Sequence, residues 1–96
     1  MPHMYILKCA DGTYYTGSTV DLELRVSQHQ SGGGANYTKS RLPVSLVYWE
    51  EYPRVDEAFA REKQVQAWSH AKKKALIDAR NDTLSGLAKK VFRREA

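Results

Sequence analysis

The stretch HMYILKCADGTYYTG, residues 3–17, decides the expected fold. Residues 4–9 are aliphatic or aromatic almost without a break, which predicts a strand that is covered on both faces. Asp11-Gly12 is a strong hairpin signal, and residues 13–17 are predicted to form the returning strand. The stretch therefore predicts an antiparallel hairpin.

One helix and one more strand are predicted to follow the hairpin. Asp21 is a suitable N-cap for a helix over residues 22–30, because its carboxylate can accept hydrogen bonds from the free backbone N–H groups of the first turn. Residues 45–52 have the composition of a third strand. The segment between them, residues 31–43, is too rich in glycine and polar residues for a regular element.

Further helices are predicted where Asp56, Ser69 and Thr83 can act as caps. The periodicity of the first of these helices turns four side chains inward: Ala58, Phe59, Val65 and Trp68. The predicted order is β-β-α-β-α-α-α, an α/β (α+β) fold with a small, mainly antiparallel three-stranded sheet flanked by helices. We expect one domain over residues 1–82, with residues 83–96 as a C-terminal helical extension.

The composition limits the class of protein. The chain has 96 residues, 42% of them hydrophobic, which suffices for one buried core and not for two ordinary domains. No apolar run approaches the roughly 20 residues of a membrane-spanning helix, and the first residues lack the pattern of a secretory signal. Cys9 is the only cysteine, which excludes a disulfide within the chain and argues against a cysteine-based zinc site. We expect a cytoplasmic protein.

The charge of the chain is unevenly distributed. Residues 1–60 carry five Lys/Arg against seven Asp/Glu, a net of −2, whereas residues 61–96 carry ten against four, a net of +6. A basic surface attracts phosphate backbones, because neutralising phosphates releases counterions. Lysines also serve simply to keep a small protein soluble, so charge alone does not decide between these two explanations.

Five side chains of the right types for phosphodiester hydrolysis are expected to converge. Tyr5 and Tyr15 lie on the two arms of the hairpin, where a short turn can bring them opposite each other, and Arg25 and His29 stand four residues apart on one helix face. Glu62 lies early in the helix after the third strand. A carboxylate can hold a divalent metal, a guanidinium matches phosphate, and a phenol or imidazole can relay the proton of a water.

Other residues are candidate contacts to nucleic acid: Gly17, Asn36, Tyr37, Lys39, Arg41, Lys72 and Lys73. A glycine at the end of a strand lets the backbone approach a ligand closely. The loop residues and the lysines can contact phosphate. The loop can equally be a flexible connection, and three successive lysines cannot share one helix face, so some of them only add solubility.

Each catalytic candidate has a commoner structural explanation when it is taken alone. The tyrosines suit an ordinary strand, and Arg25 and His29 suit an exposed helix face. Glu62 is typical of a surface charge paired with Lys63 or Gln66. These explanations would have to produce the whole ordered set by accident, which favours the catalytic interpretation.

With this set, the chain resembles the GIY-YIG nuclease family over roughly residues 4–77. The first family triplet matches His3-Met4-Tyr5 with only the tyrosine identical, and the second matches Tyr15-Thr16-Gly17 with tyrosine and glycine identical. The family's Arg-x-x-x-His pattern is present as Arg25 and His29, and Glu62 stands where the family carries its metal-binding glutamate. The triplets alone are weak signals, whereas the ordered set is strong.

The resemblance is most detailed for the small stand-alone bacterial branch of the family, the UPF0213-like proteins. The stretches STVDLELRVSQHQSG, GANYTKSRLP and WSHAKKKALI look like this branch, which is similar to the nuclease domain of the Slx1 structure-specific endonucleases. His3 and Met4 depart from the family's glycine and isoleucine, and a late asparagine found in some members has no match. No second DNA-binding domain is evident, which leaves the choice of substrate open.

The resemblance implies a role for each of the five residues. Glu62 and the substrate phosphate would bind one divalent metal, Mg²⁺ or Mn²⁺. Tyr5 would lie close to the attacking water as the favoured general base, and Arg25 would stabilise the charged transition state. Tyr15 and His29 would orient water and phosphate.

The sequence therefore predicts a divalent-metal-dependent endonuclease that cleaves DNA at branched, flapped or single-stranded structures, with RNA as a further substrate class. Two alternatives remain open. One is a nucleic-acid-binding module that kept the fold and lost cleavage, and the other is an interaction domain that recruits a separate nuclease or repair factor. A protein partner could also supply substrate specificity. The five-residue set favours the enzyme, because a pure binder has no need of Glu62.

Overall fold

The computed structural model describes residues 1–80. Three strands, β1 (His3–Lys8), β2 (Tyr14–Thr19) and β3 (Ser45–Glu51), form one sheet in the order β2-β1-β3. Both pairs of strands are antiparallel. The sheet is flanked by four helices: α1 (Leu22–Gln30), α2 (Asn36–Lys39), α3 (Val55–Gln66) and α4 (residues 70–80). The predicted fold class is confirmed.

The hairpin turn forms where Asp11-Gly12 predicted it. The Asp11 carboxylate accepts hydrogen bonds from the backbone N–H and the hydroxyl of Thr13, and Gly12 has a φ of 86°, which favours glycine. The register, however, places Tyr5 opposite Gly17, and Tyr15 lies opposite Leu7. The expectation that the two tyrosines face each other directly is wrong, because the loop is longer than a two-residue turn.

The sheet carries one apolar cluster on each face. On one face, α3 and α4 cover Met4, Ile6 and Tyr48 with residues such as Val65 and Ile77. The other face holds a second cluster, to which α1 contributes: Tyr5, Leu7, Cys9 and Val44 are buried there, and Leu22 and Val26 pack against them. Because β1 is the central strand, its alternate side chains enter both clusters. This explains the apolar run of residues 4–9.

The helices depart from the prediction at three points. Asp21 caps α1 as expected, with its side chain accepting from the Leu24 N–H at 3.1 Å. Arg54, rather than Asp56, is the N-cap of α3, and no side chain caps that helix. Phe59, predicted to face inward, is 51% exposed.

The third departure concerns the glycine-rich segment after α1. It was expected to lack a regular element, but it contains the short helix α2. Thr38 of this helix is completely buried and its hydroxyl donates to the Ala35 carbonyl oxygen at 3.0 Å. A tertiary contact of Thr38, described below, therefore holds a helix where local propensity does not predict one.

Ser69 caps α4, as predicted. Its hydroxyl oxygen accepts a hydrogen bond from the backbone N–H of Lys72 at 3.2 Å. The predicted cap at Thr83 and the extension over residues 83–96 lie outside the described residues. Within residues 1–80, no helix has the length and apolar character needed to cross a membrane.

Candidate active site

Four of the five candidate residues meet on the α1 side of the sheet. The ring centroids of Tyr5 and Tyr15 are 6.4 Å apart, and the His29 ring lies 5.8 Å from Tyr5 and 5.1 Å from Tyr15. Arg25, one helical turn before His29, is half-buried beside them. Tyr5 and His29 are buried, with exposures of 1% and 0%, so Tyr15 and Arg25 form the more exposed side of the group.

A chain of buried hydrogen bonds fixes the protonation of His29. The Tyr5 hydroxyl lies 2.8 Å from His29 Nε2, and the Thr38 hydroxyl lies 2.8 Å from His29 Nδ1. Because Thr38 donates its own proton to the Ala35 carbonyl oxygen, its oxygen accepts from His29 Nδ1–H. His29 Nε2 is then the unprotonated nitrogen, and it accepts from the Tyr5 hydroxyl.

Burial keeps the two central groups of this chain neutral. Burial, with a smaller contribution from nearby Arg25, lowers the pKa of His29 to about 4. Burial and the neighbouring Tyr15 raise the pKa of Tyr5 to about 12, although Arg25 opposes this. At neutral pH both groups are uncharged, and a proton can pass between them along a bond that already exists.

Arg25 is the cation of the site. Its Nη1 donates to Gln28 Oε1 at 3.1 Å, which orients the guanidinium along α1. Burial raises the pKa of Tyr15, and Arg25 opposes this rise as it does at Tyr5. The guanidinium therefore partly offsets the rise in the pKa of both phenols. It also provides a positive charge beside Tyr15, the most exposed ring of the group.

Glu62 completes the group from α3. Its side chain is buried beside β2, where Oε1 accepts from the Ser18 hydroxyl at 2.7 Å and Oε2 lies 3.5 Å from Lys63 Nζ. The negative charge of Glu62 makes a small contribution to the raised pKa values of Tyr5 and Tyr15. The structure thus groups four candidate residues on the α1 side of the sheet and places Glu62 on α3 beside β2; the catalytic roles of all five stay predictions.

Glu62 also fits the requirements of a divalent metal. Mg²⁺ is commonly bound through one or two carboxylates, with waters and substrate phosphate as the other ligands. In residues 1–80, no group of three or more His, Cys, Asp or Glu side chains could hold a metal ion. A metal at this site would therefore be held by Glu62 and its substrate, with Ser18 orienting the carboxylate.

Two glycines make room for the buried hydrogen-bond chain. A Cβ at Gly17 would lie 2.5 Å from the Tyr5 hydroxyl oxygen, and a Cβ at Gly34 would lie 2.7 Å from His29 Cγ. Gly17 was predicted to let a ligand approach, but the group that approaches it is the Tyr5 ring. A contact between Gly17 and nucleic acid stays a prediction.

The other predicted contact residues are divided between two surfaces. On α2, Tyr37 lies 6.0 Å from Tyr15 between ring centroids, and the Arg41 guanidinium lies 3.9 Å over the Tyr37 ring and pairs with Asp11. Asn36 and Lys39 are exposed on the same short helix. Lys72 and Lys73 lie on α4, on the opposite face of the sheet from α2. The structure therefore brings Tyr37 next to Tyr15, whereas the lysines of α4 lie on the side of the sheet that α3 and α4 cover.

Three residues of the site were not predicted from sequence: Thr38, Ser18 and Gly34. Each acts on a residue that was predicted, through a hydrogen bond or by leaving space. The only sequence signal for these contacts was that Thr38 lies just nine residues after His29. Because no helix was predicted at Thr38, the contact between the two residues was not predicted.

A groove of about 810 Å³ lies elsewhere, between α1 and β3. Its lining includes Trp49, Val26 and Leu46, with carboxylates from Asp21, Glu23 and Glu51, and it contains none of the five candidate residues. Its acidic rim would repel phosphate. The chemistry of the side chains, rather than the size of the groove, therefore locates the candidate active site.

Comparison with known families agrees with this geometry. The family model described as the GIY-YIG catalytic domain matches residues 1–75. The chain therefore belongs to the GIY-YIG family.

Individual relatives are similar over most of their length. A UPF0213 protein of Halobacterium salinarum is 46% identical over 77 residues, which cover 80% of this chain and 100% of that protein. The solution NMR structure of the UPF0213 protein BH0048 from Bacillus halodurans is 41% identical, covers 82% of this chain and 85% of that chain, and has a TM-score of 0.54. The structure of the protein EF2693 from E. faecalis is 32% identical with the same TM-score, over 80% of this chain and 82% of that one.

These relatives confirm the predicted family and its UPF0213-like branch. The similarity to Slx1 endonucleases stays a prediction.

Proposed function

We propose that this protein is a divalent-metal-dependent endonuclease that hydrolyses DNA phosphodiester bonds, with a preference for branched, flapped or single-stranded structures. Membership of the GIY-YIG family supports a nuclease and therefore a nucleic acid substrate. The metal, the preferred DNA structure, activity on RNA and a cytoplasmic location are further parts of this proposal.

One observation supports the enzyme above all others. The buried chain from Tyr5 through His29 to Thr38 lies beside the Arg25 cation, and the charge of the Glu62 carboxylate also acts on Tyr5. A proton acceptor, a cation and a metal-binding carboxylate are the groups that phosphodiester hydrolysis requires. A module that only binds nucleic acid needs the cation and has no use for a buried carboxylate, which phosphate would avoid.

In this proposal Tyr5 activates the attacking water. As the water oxygen attacks phosphorus, Tyr5 Oη takes a water proton and passes its own proton to His29 Nε2. The phosphate charge partly offsets Arg25, and Arg25 together with burial is what holds the pKa of His29 low. Because Tyr5 is only 1% exposed, this proton relay is shielded from bulk solvent.

The remaining residues bind and orient the phosphate. Arg25 would hold the phosphoryl oxygens with its forked donors as negative charge grows in the transition state, and Tyr15 would orient the phosphate at the exposed side. A divalent ion held by Glu62 and the phosphate would stabilise the leaving alkoxide. The alkoxide takes a proton from solvent when it leaves, and His29 returns its proton to solvent through Tyr5, which completes the hydrolysis and restores the site.

The first prediction tests this proposal with Glu62→Gln. The amide keeps the size of the side chain and can still accept from Ser18, so the fold should survive, but the charge that holds a metal is lost. Cleavage of labelled branched, flapped, single-stranded and duplex DNA in Mg²⁺ or Mn²⁺ should fall by at least about a hundredfold. DNA affinity should change little. Arg25→Ala should lose rate and affinity together, because the cation contacts phosphate in both states.

Glu57→Gln is the matched control, since Glu57 is an exposed carboxylate on the same helix. It should cleave like the wild type. Equal cleavage by wild type and Glu62→Gln would refute the metal site. Tight binding without cleavage across the whole panel would favour the binding module, and neither binding nor cleavage would favour the interaction domain.

A further inference from the structure

Helix α3 exposes an aromatic ring beside the candidate site. Phe59 is 51% exposed, and it precedes Glu62 by three residues, so the two side chains are neighbours on the helix surface. An exposed phenylalanine gives up the favourable free energy of burying its ring. Phe59 is not part of either apolar cluster of the sheet.

Lys63 links this ring to the carboxylate. Its Nζ lies 5.0 Å from the centroid of the Phe59 ring and 3.5 Å from Glu62 Oε2. The Lys63 side chain is 54% exposed, so its charge is open to solvent and to an incoming anion. Phe59 and Lys63 therefore present an exposed aromatic face and an exposed cation directly beside the largely buried Glu62 carboxylate.

This combination matches one unit of a nucleic acid strand. A nucleotide presents a flat base next to a phosphate, and bases stack on aromatic side chains whatever their sequence. A base inside a duplex has both faces covered by its neighbours, so only an unpaired base can offer a face to Phe59.

We propose that Phe59 stacks on an unpaired base next to the scissile phosphate, while Lys63 contacts the adjoining backbone. This inference rests on the proposed function and deepens it: the substrate is DNA with an unpaired nucleotide beside the scissile bond. Phe59 is a binding residue that selects single-stranded or flapped DNA over continuous duplex. Val55, one turn earlier and 57% exposed, is apolar without an aromatic face and has no such role.

The test measures binding without cleavage. The full chain is titrated in EDTA with an oligonucleotide that carries 2-aminopurine, either in a single strand or in a duplex, and both fluorescence and anisotropy are recorded. Stacking on Phe59 should quench the fluorophore in the single strand. Phe59→Ala should remove the quenching and weaken single-strand binding by about tenfold, with duplex binding unchanged.

Two further variants separate aromatic stacking from a general apolar contact. Phe59→Leu keeps a large apolar side chain and should behave like Phe59→Ala, whereas Phe59→Tyr and the control Val55→Ala should behave like the wild type. Circular dichroism checks that each variant is folded. A Phe59→Leu protein that quenches and binds like the wild type would overturn the proposal, as would equal weakening for single strand and duplex.

Failure of this inference can be distinguished from failure of the proposed function. If the wild type cleaves DNA and Phe59→Ala keeps the same preference among structures, only the stacking site is wrong. If the wild type neither binds nor cleaves any DNA, both fail. If Phe59→Ala instead abolishes self-association seen by sedimentation, the exposed ring is a contact between proteins, and the nucleobase site is refuted.

Discussion

At the scale of single residues, Thr38 controls the site although it carries no reacting group. It is completely buried, and its hydroxyl is held between the Ala35 carbonyl oxygen and His29 Nδ1. Since the direction of these bonds sets which nitrogen of His29 is protonated, Thr38 acts as a positioning residue for the proton acceptor. The same contact holds α2 against α1, so one hydroxyl links local folding to chemistry.

The second prediction therefore concerns Thr38→Val. Valine has nearly the same shape but leaves the Nδ1–H of His29 without an acceptor, which should cost about 1–3 kcal/mol of unfolding free energy. The fixed protonation of His29 would also be lost, so cleavage should fall and its pH profile should shift. Thr38→Ser should restore both. Urea unfolding and cleavage at several pH values measure the effects, and an unchanged pH profile in a folded Thr38→Val protein would argue against a positioning role.

The third prediction concerns acid. The pKa of His29 is about 4 in the folded protein against an ordinary value of 6.5, so between these values the unfolded chain binds the extra proton. The stabilising effect is complete above pH 6.5 and is lost as pH falls towards 4. Between pH 7 and pH 5 the unfolding free energy should drop by about 2 kcal/mol. His29→Gln should lack this part of the pH dependence, and a wild type equally stable at both pH values would contradict the burial of a neutral His29.

At the scale of elements, the sequence predicted those features that are stabilised by contacts between neighbouring residues. The Asp11-Gly12 turn, the Asp21 cap and the three strands follow from neighbouring residues, and the structure has all of them. Tyr5, Arg25, His29 and Glu62 were recognised through the order of residues along the chain. The register that places Tyr5 opposite Gly17 depends on pairing between strands, and the short helix α2 depends on one tertiary hydrogen bond. Neither leaves a periodic pattern in the sequence.

Strand β3 and helix α3 are tied by Glu50. Its carboxylate accepts from Arg61 at 2.9 and 3.2 Å and from the hydroxyls of Tyr48 and Tyr52. Burial alone would raise the pKa of Glu50, but these donors, Arg61 first, outweigh it and hold the pKa below its usual value. The contact fixes the helix that carries Glu62 against the sheet.

The fourth prediction is that Arg61→Met destabilises the fold. Methionine keeps the length of the side chain and leaves the largely buried Glu50 carboxylate without its cation, which should cost about 1–3 kcal/mol in urea unfolding. Arg54→Met is the control, because Arg54 and Asp56 pair in an exposed position, where ion pairs contribute little. A similar loss of unfolding free energy in both variants would mean that the contact between Arg61 and Glu50 stabilises the fold no more than an exposed ion pair does.

At the scale of the whole molecule, charges of opposite sign lie on different surfaces. Carboxylates border the groove between α1 and β3, whereas α4 carries three successive lysines, Lys72, Lys73 and Lys74. Residues 61–96 together carry a net charge of +6. A nucleic acid strand would be repelled by the first surface and attracted by the second, which orients it before any specific contact forms.

The fifth prediction follows from this separation. DNA affinity measured by fluorescence anisotropy should fall by at least about tenfold between low and moderate salt, because several phosphates are neutralised on binding. Lys72→Ala should lower the slope of log affinity against log salt by about one if Lys72 contacts a phosphate. The same slope measured for Lys39→Ala tests whether Lys39 on α2 contacts a phosphate. A flat salt response would instead favour a protein partner.

Tyr5 packs against the backbone of Gly17, and His29 packs against the backbone of Gly34. This packing has a consequence for screens of random variants. Positions 17 and 34 contribute no functional group, yet any side chain there would displace the phenol or the imidazole that lies against them. Such a screen would score both glycines as if they took part in the reaction. A smaller residue at position 5 would free position 17, so the two positions should show strong epistasis for stability, and only the tyrosine should be indispensable for turnover.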